Sequence, residues 1–340
     1  MRTATKVWLI VAGALIALGI IVFGTAFMAI GGDMAGFATN KYETNEHQIT
    51  DEFENILIKS NTASIKLVAS EEDSCSVVCY EQTNLKHSVS VKDGALEIKV
   101  VDERKWYEHI GINFSAPSVT VYLPKGEYGE LDVSVSTGDV DIPEGFGFEN
   151  IDVTASTGRV MCGAVAKQDV NITTTTGNIV GNGVSAASMK LSVSTGRIEL
   201  NGIKCDGDLS VTVSTGDARV SGVNCKNFRS DGDTGKLYLG YLEAEEKITV
   251  KRSTGDVSFD NCDASKLFIE TSTGDVRFEA CDAAEISVRT DTGDVEGTLR
   301  SDKVFIVRTD TGDVEVPKTT SGGRCEIITD TGDIEISIIN

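Results

Sequence analysis

The sequence predicts an all-β protein: a parallel β-solenoid of about eleven regular coils, each 19–20 residues, plus degenerate N-terminal coils, carried behind one transmembrane helix. Three observations predict this. A Thr-Gly pair, usually followed by Asp, recurs eleven times, with glycines at 138, 158, 177, 196, 216, 235, 255, 274, 293, 312 and 332. A fixed period of that length is the signature of stacked repeats. Around each glycine, apolar residues alternate with polar ones in steps of two, the period of a half-buried strand. Ahead of all this, residues 7–30 hold no charge.

The chain divides, in order, into a cytoplasmic N-terminus (1–6), a membrane anchor (7–30), a flexible stalk (31–50), a degenerate β-strand head or cap (51–130) and the regular coils (131–340). An uncharged stretch of 24 residues can span a bilayer's hydrocarbon core. Arg2 and Lys6 precede it and Asp33 and Glu43 follow, so the positive-inside rule places everything after residue 30 outside the cytoplasm. A cleaved signal peptide is the competing reading, disfavoured by the length of the apolar run and the lack of a small-x-small cleavage site. Gly, Asn, Thr, Glu and Gln dominate 31–50 and suggest the stalk.

Within the head, Ile56 and Ile58, Thr62, Ala63, then Ile65 and Leu67 read as a degenerate coil. A second is read around Gly94, preceded by Val89 and Val91 and followed by Leu96 and Ile98. Ser118–Pro124 (SVTVYLP) is a further strand, ended by Pro124. Between them lies an aromatic loop with Trp106, Tyr107, His109 and Phe114, expected to cover the open end of the stack, with a contact surface as the competing reading.

With each regular repeat numbered from its glycine, position +2 is apolar throughout, from Val140 to Ile334. Position +4 is apolar except at Gly181 and Gly297, and positions −7 and −5 pair as in Leu131/Val133 or Ile248/Val250. Each repeat is thus about two short strands joined by a corner. A single coil cannot bury its own apolar face, so coils stack at roughly 4.8 Å into a rod on the order of 50 Å long. The corner residues are Thr137 and Gly138, Thr215 and Gly216, Thr254 and Gly255, Thr273 and Gly274, Thr292 and Gly293, Thr311 and Gly312, Thr331 and Gly332, with equivalent pairs in the other coils. Glycine permits positive φ at a sharp turn, Asp or Asn at +1 suits such a turn, and stacked Thr hydroxyls are expected to bond as a ladder.

Composition excludes several functions. A net charge of −21 argues against nucleic acid and against docking on anionic lipid. The late corners carry Asp at both −2 and +1: Asp291 with Asp294, Asp310 with Asp313, Asp330 with Asp333. Stacked carboxylates repel, and bound Ca²⁺ would relieve that. The Gly-Gly-x-Gly-x-Asp nonapeptide of calcium-binding β-rolls is absent, which favours solvated side chains over a metal site. The eight cysteines read better as buried thiols than as disulfides, since Cys262/Cys281 and Cys205/Cys225 would stack with parallel Cβ vectors. Histidine occurs only at 47, 87 and 109, outside the regular coils, and no Ser-His-Asp order, HExxH or nucleotide fingerprint appears. No catalytic residue or organic cofactor is assigned. A glycan lyase or hydrolase on a β-helix would need a cleft built by long loops, and no interval between corner glycines exceeds 20.

With anchor, strand-rich head, the LP of SVTVYLP and the repeated v-x-[ST]-[ST]-T-G-D-v coils in place, the chain resembles the bacterial putative-adhesin family of β-strand-repeat proteins over roughly residues 50–340. The resemblance implies a membrane-tethered surface solenoid, sometimes associated with envelope-stress systems, and brings no catalytic residues. Two readings follow: a surface module binding a protein or glycan, or an envelope-stress accessory acting on membrane partners. The final strand, with Ile334, Ile336, Ile338 and Ile339, is expected to form an open apolar end and to support self-association.

Overall fold

The computed structural model describes residues 3–29, 31, 41–72, 74–106 and 115–339. Thr3–Ala29 is one helix. Its 25-residue segment Thr5–Ala29 contains an 18-residue window of mean hydropathy 2.7 and runs about 37 Å at the usual helical rise. Trp8 and Ile10 are 72% and 71% exposed, so nothing in the protein covers this apolar surface. Length and composition suit a membrane anchor and equally a secretion signal.

The rest is a parallel β-solenoid with one continuous core. Register follows the sequence repeat. Val153 pairs with Ile172, Ile172 with Leu191, Leu191 with Val211, and so on to Ile269 with Val288. Each coil has more inward positions than the two-strand reading supplies. In the Gly196 coil, Met189, Leu191 and Val193 form one side, Ile198 and Leu200 a second, and Ile203 and Cys205 a third, all buried. That third side, near +7 and +9, closes the cross-section. Burying each such aliphatic side chain contributes roughly 1.5–3 kcal/mol, and no coil could do this without its neighbours. All eight cysteines are free and buried, packed as small hydrophobes.

The order of coils departs from chain order at both ends. Val288 pairs with Ile327, and Ile327 on its other side with Val307. The Gly332 coil therefore lies between the Gly293 and Gly312 coils, and the outermost coil is the penultimate one in sequence. Burial agrees: Ile334 and Ile336 are 0% and 3% exposed, while Ile306 and Val314 are 49% and 45% exposed. The expectation that Ile334 and Ile336 form an open apolar end is corrected, and the self-association expected of this coil loses that premise. The composition of the Gly312 coil explains the exchange. Its third side holds Thr319 and Ser321 where other coils place Val, Leu, Ile, Cys or Ala, and Pro317 offers no amide to a neighbour. A coil with one polar side fits at the end of a stack and would leave polar groups unpaired inside it.

At the other end, Asn55–Ser60 lies parallel to Glu127–Thr137, and Ile56 and Ile58 pair with Leu131 and Val133. Ser64–Ser70 continues this coil and pairs with Val140–Ile142. The degenerate coil read at Ala63 is therefore real, and Ala63 needs no positive φ there. Beyond it, Ala95–Asp102 adds to the first side and Ser118–Pro124 to the second. Gly94 is not the corner of another coil. Leu85–Lys92 and Ala95–Asp102 form an antiparallel hairpin around Asp93 (φ 51) and Gly94 (φ 76), the Asp-Gly two-residue turn. Cys75–Gln82 pairs antiparallel with Ser118–Pro124, and Tyr42–Ile49 pairs antiparallel with Cys75–Gln82.

Tyr42–Ile49 is thus an edge strand, which corrects the flexible stalk at those positions; residues 32–40 of that stalk lie outside the described residues. Among the described residues, these antiparallel strands cover the N-terminal end of the stack. Trp106 is 79% exposed, and Tyr107, His109 and Phe114 lie outside the described residues.

Candidate functional site

The repeated corner forms one straight column. Threonines at −1 pair from coil to coil, from Thr137 with Thr157 through Thr215 with Thr234, Thr234 with Thr254, Thr273 with Thr292, Thr292 with Thr331 and Thr311 with Thr331. Their rungs are main-chain rather than hydroxyl. The Gly216 amide donates to the Thr234 carbonyl at 2.8 Å, and the Gly293 amide to the Thr331 carbonyl at 2.9 Å. No hydroxyl ladder joins these threonines among the described residues. Glycine is required here by contact as well as by angle: Gly216 has φ +130, and a Cβ there would lie 1.8 Å from the Gly196 carbonyl oxygen.

The residue at +1 builds a second ladder. Asp139 Oδ1 accepts the Arg159 amide at 2.8 Å, Asn178 Oδ1 the Arg197 amide at 3.0 Å, and Asp217 Oδ1 the Lys236 amide at 3.0 Å. In the late coils Asp294 Oδ1 accepts the Asp333 amide and Asp333 Oδ1 the Asp313 amide, both at 2.8 Å. A short side chain with an acceptor oxygen reaches the next coil's open amide, which explains why Asp and Asn recur at this position. Among the candidate calcium residues, Asp294 and Asp333 thus already serve main-chain amides. Asp310 accepts from the Arg308 guanidinium, 2.8 Å from Nη2, and Asp291 and Asp330 are exposed. Asp313 stands at the outer end of the column. Among the described residues, no three of these six carboxylates converge within ligand distance.

Inside the coils two exceptions to the apolar pattern, Arg252 and Gly232, face each other. Arg252, 4% exposed, points inward and fills the space left by Gly232, with Nη2 3.1 Å from Ser230 Oγ. Its Nε and Nη1 have no partner among the described residues. Desolvation pulls its pKa below the ordinary arginine value, against the opposing charges of Asp231, Asp217 and Asp233.

The densest chemistry lies under the N-terminal end of the stack, in a stretch without a linear motif. Cys79 and Glu81 alternate onto the inner face of Cys75–Gln82, and the turn at Thr83 and Asn84 brings His87 back beside them. They are 0%, 1% and 6% exposed. Glu81 Oε2 lies 2.7 Å from His87 Nδ1 and accepts the His87 amide at 2.6 Å. Asn45, opposite Cys79 in register, donates to Glu81 Oε1 at 2.8 Å. His87 Nε2 lies 3.1 Å from Ser60 Oγ.

Ser60, His87 and Glu81 therefore line up as a hydroxyl, imidazole and carboxylate, an order the linear sequence conceals. As a nucleophile Ser60 is badly placed. It is 5% exposed, takes the Ala63 amide at 3.3 Å, and faces down the inside of the first coil, where no substrate can approach. The signal that could have found the group is the Cys-x-Glu spacing on a strand followed by a hairpin carrying His.

Comparison with known proteins follows the fold. Three solved structures align over most of their length. They are described as a putative adhesin from Parabacteroides distasonis (TM-score 0.46, 12% identity, 88% of this chain and 98% of that one), another from Parabacteroides merdae (0.42, 12%, 88% and 98%), and a third from Bacteroides fragilis (0.39, 13%, 87% and 97%). No curated protein sequence matches the chain. Residues 53–227 and 240–340 match one family, a match that takes in the antiparallel strands Cys75–Gln82 and Leu85–Lys92 and most of the regular coils. The chain belongs to the Toastrack DUF4097 family.

Proposed function

We propose that this protein is a membrane-anchored, extracytoplasmic β-solenoid that acts as a non-enzymatic, adhesin-like binding module. The observation that carries the reading is the uncovered apolar helix Thr5–Ala29 ahead of a rod whose own apolar residues are almost all inside. Lipid is the environment that removes such a helix from water. Arg2 and Lys6, at the N-terminal end of the apolar run, orient the rod outward. The solenoid flank is a rigid surface of outward charged side chains, paired between coils as in Lys251 with Glu270 and Arg277 with Glu296. Such exposed pairs contribute little stability, roughly 0–1 kcal/mol each, and leave the surface available for contact with a protein or glycan. The inaccessible hydroxyl of Ser60 and the even 19–20-residue spacing of the corner glycines, which leaves no room between regular coils for long cleft-building loops, support a binding role over catalysis.

Two measurements test this. Protease added to intact protoplasts should remove the bulk of the chain and leave a fragment near the anchor; full protection of the solenoid would overturn the topology. Cells carrying the full chain should attach to a panel of immobilised glycans and proteins better than cells carrying the helix alone. Equal attachment would overturn the binding role while leaving the topology intact.

A further inference from the structure

We propose that Cys79, Glu81 and His87 form a buried site for a divalent transition-metal ion of the zinc type, a clasp at the N-terminal end of the solenoid. One donor atom from each lies within 4.8 Å of the others. A thiolate, an imidazole and a carboxylate together are the borderline-soft donor set that selects zinc over calcium or magnesium. All three side chains are more than nine-tenths buried, where a carboxylate beside an imidazole and a thiol is costly without a compensating cation.

The surroundings already supply the outer contacts such a site needs. An ion on His87 Nδ1 leaves Nε2–H to donate to Ser60 Oγ, 3.1 Å away, which fixes the tautomer and the ring plane. Asn45 Nδ2 holds Glu81 Oε1 at 2.8 Å and leaves Oε2 directed at the ring, 2.7 Å from Nδ1. Two zinc ligands with bonds near 2.0–2.1 Å stand about 3.3 Å apart in a tetrahedral site, so a cation replaces the hydrogen bond once the two atoms part by roughly 0.6 Å. Burial, and after it the charge of Glu81, pushes the Cys79 thiol up to about 12. The thiol therefore keeps its proton until a cation displaces it: the S–H bond breaks, a sulfur–metal bond forms, and one proton leaves to solvent.

A fourth ligand has a candidate. His47 sits on the same strand face as Asn45, diagonal in register to Cys79, and its Nε2 is buried with no partner among the described residues. A water is the alternative occupant. The ion would join Cys75–Gln82 to Leu85–Lys92 above Ser60 of the first coil, closing the end of the stack where neighbouring coils can no longer supply pairing.

The test uses the full chain in detergent, stripped with a chelator and returned to a defined metal. Zinc should bind at one ion per chain. Cobalt(II) should give thiolate-to-metal charge-transfer absorption together with intense tetrahedral ligand-field bands. Cys79→Ser should abolish the charge transfer, whereas Cys262→Ser, a buried thiol elsewhere, should leave it unchanged. Asn45→Ala should weaken binding by about 10- to 100-fold. Absence of stoichiometric zinc binding by the unmodified chain would overturn the proposal without reliance on any variant. Charge transfer that persists in folded Cys79→Ser would overturn it equally.

Discussion

The exchange of the last two coils can be measured directly. Val314 and Ile334 occupy the same position, +2, of consecutive repeats, yet they are 45% and 0% exposed. Ile334→Ala removes side-chain volume from between two coils, and such core truncations cost about 2–5 kcal/mol. Val314→Ala removes two methyl groups worth about 0.8 kcal/mol each when fully buried. At half burial, the loss falls below about 1 kcal/mol. Stacking in chain order reverses the prediction, because the Gly312 coil would then be covered on both faces and the Gly332 coil on one. Urea unfolding of the full chain in detergent, with hydrogen exchange of the 303–338 segment as the local readout, distinguishes the two orders. Engineered disulfides provide an independent check. Arg289 and Ile328 are direct partners, about 4.8 Å apart at the strand spacing, whereas Arg289 and Arg308 are two coils apart, about 10 Å, beyond disulfide reach. Because parallel partners hold their Cβ vectors side by side, the Arg289→Cys/Ile328→Cys bridge should form only slowly and under strong oxidant, and Arg289→Cys/Arg308→Cys should not form at all. The reverse outcome, or a larger loss from Val314→Ala than from Ile334→Ala, refutes the exchanged order.

Gly216→Ala should cost about 3 kcal/mol or more, since the added Cβ meets the Gly196 carbonyl at 1.8 Å in a left-handed conformation; a loss under 1 kcal/mol in urea titration would show that the column can yield. Asp294→Ala should lose at most about 1 kcal/mol with its bond to the Asp333 amide, while Asp294→Asn, which keeps the acceptor as Asn178 does, should be close to silent. Equal losses for both would mean that charge, not the ladder, matters there. Millimolar calcium should leave the unfolding midpoint unchanged, and a concentration-dependent rise would instead show the late corner aspartates binding the ion. Arg252→Met should be neutral or stabilising, because it removes a buried guanidinium with two unpartnered nitrogens; a loss above 2 kcal/mol would show that the Ser230 contact outweighs desolvation.

The regular coils were legible because their information is local and repeated. Val or Ile at +2 and the Thr-Gly corner state the register eleven times over, and a period-2 pattern needs no tertiary knowledge. The third side was missed because its apolar residues shift by one between coils of 19 and 20, as in Ala164 against Val184. Coil order at the end was hidden for a different reason. The interval from Gly312 to Gly332 is an ordinary 20, so spacing carries no sign of the exchange; Pro317, Thr319 and Ser321 do. At Gly94, Asp93 should have outweighed the repeat, since Asp-Gly between alternating strands is a hairpin signal. The Cys79, Glu81 and His87 group depends on two strands meeting across a turn, with Ser60 some 20 residues upstream, and no linear motif records that meeting.

The interior place of the Gly332 coil constrains how the solenoid can assemble. Elsewhere each coil, once made, can settle on the one before it, so the rod can lengthen as the ribosome delivers chain. The Gly312 coil breaks that sequence: its platform, residues 325–338, is synthesised after it. Until then the Gly293 coil has no partner on its outer face, and residues 303–316 must wait unpaired or dock there temporarily and be displaced. Assembly at this end is therefore a closing step rather than one more addition, and chains halted near residue 320 should expose 303–316 to protease while the coils up to Gly293 are already protected. Protection of both regions in such stalled chains would show that the Gly312 coil first docks in chain order and is later displaced.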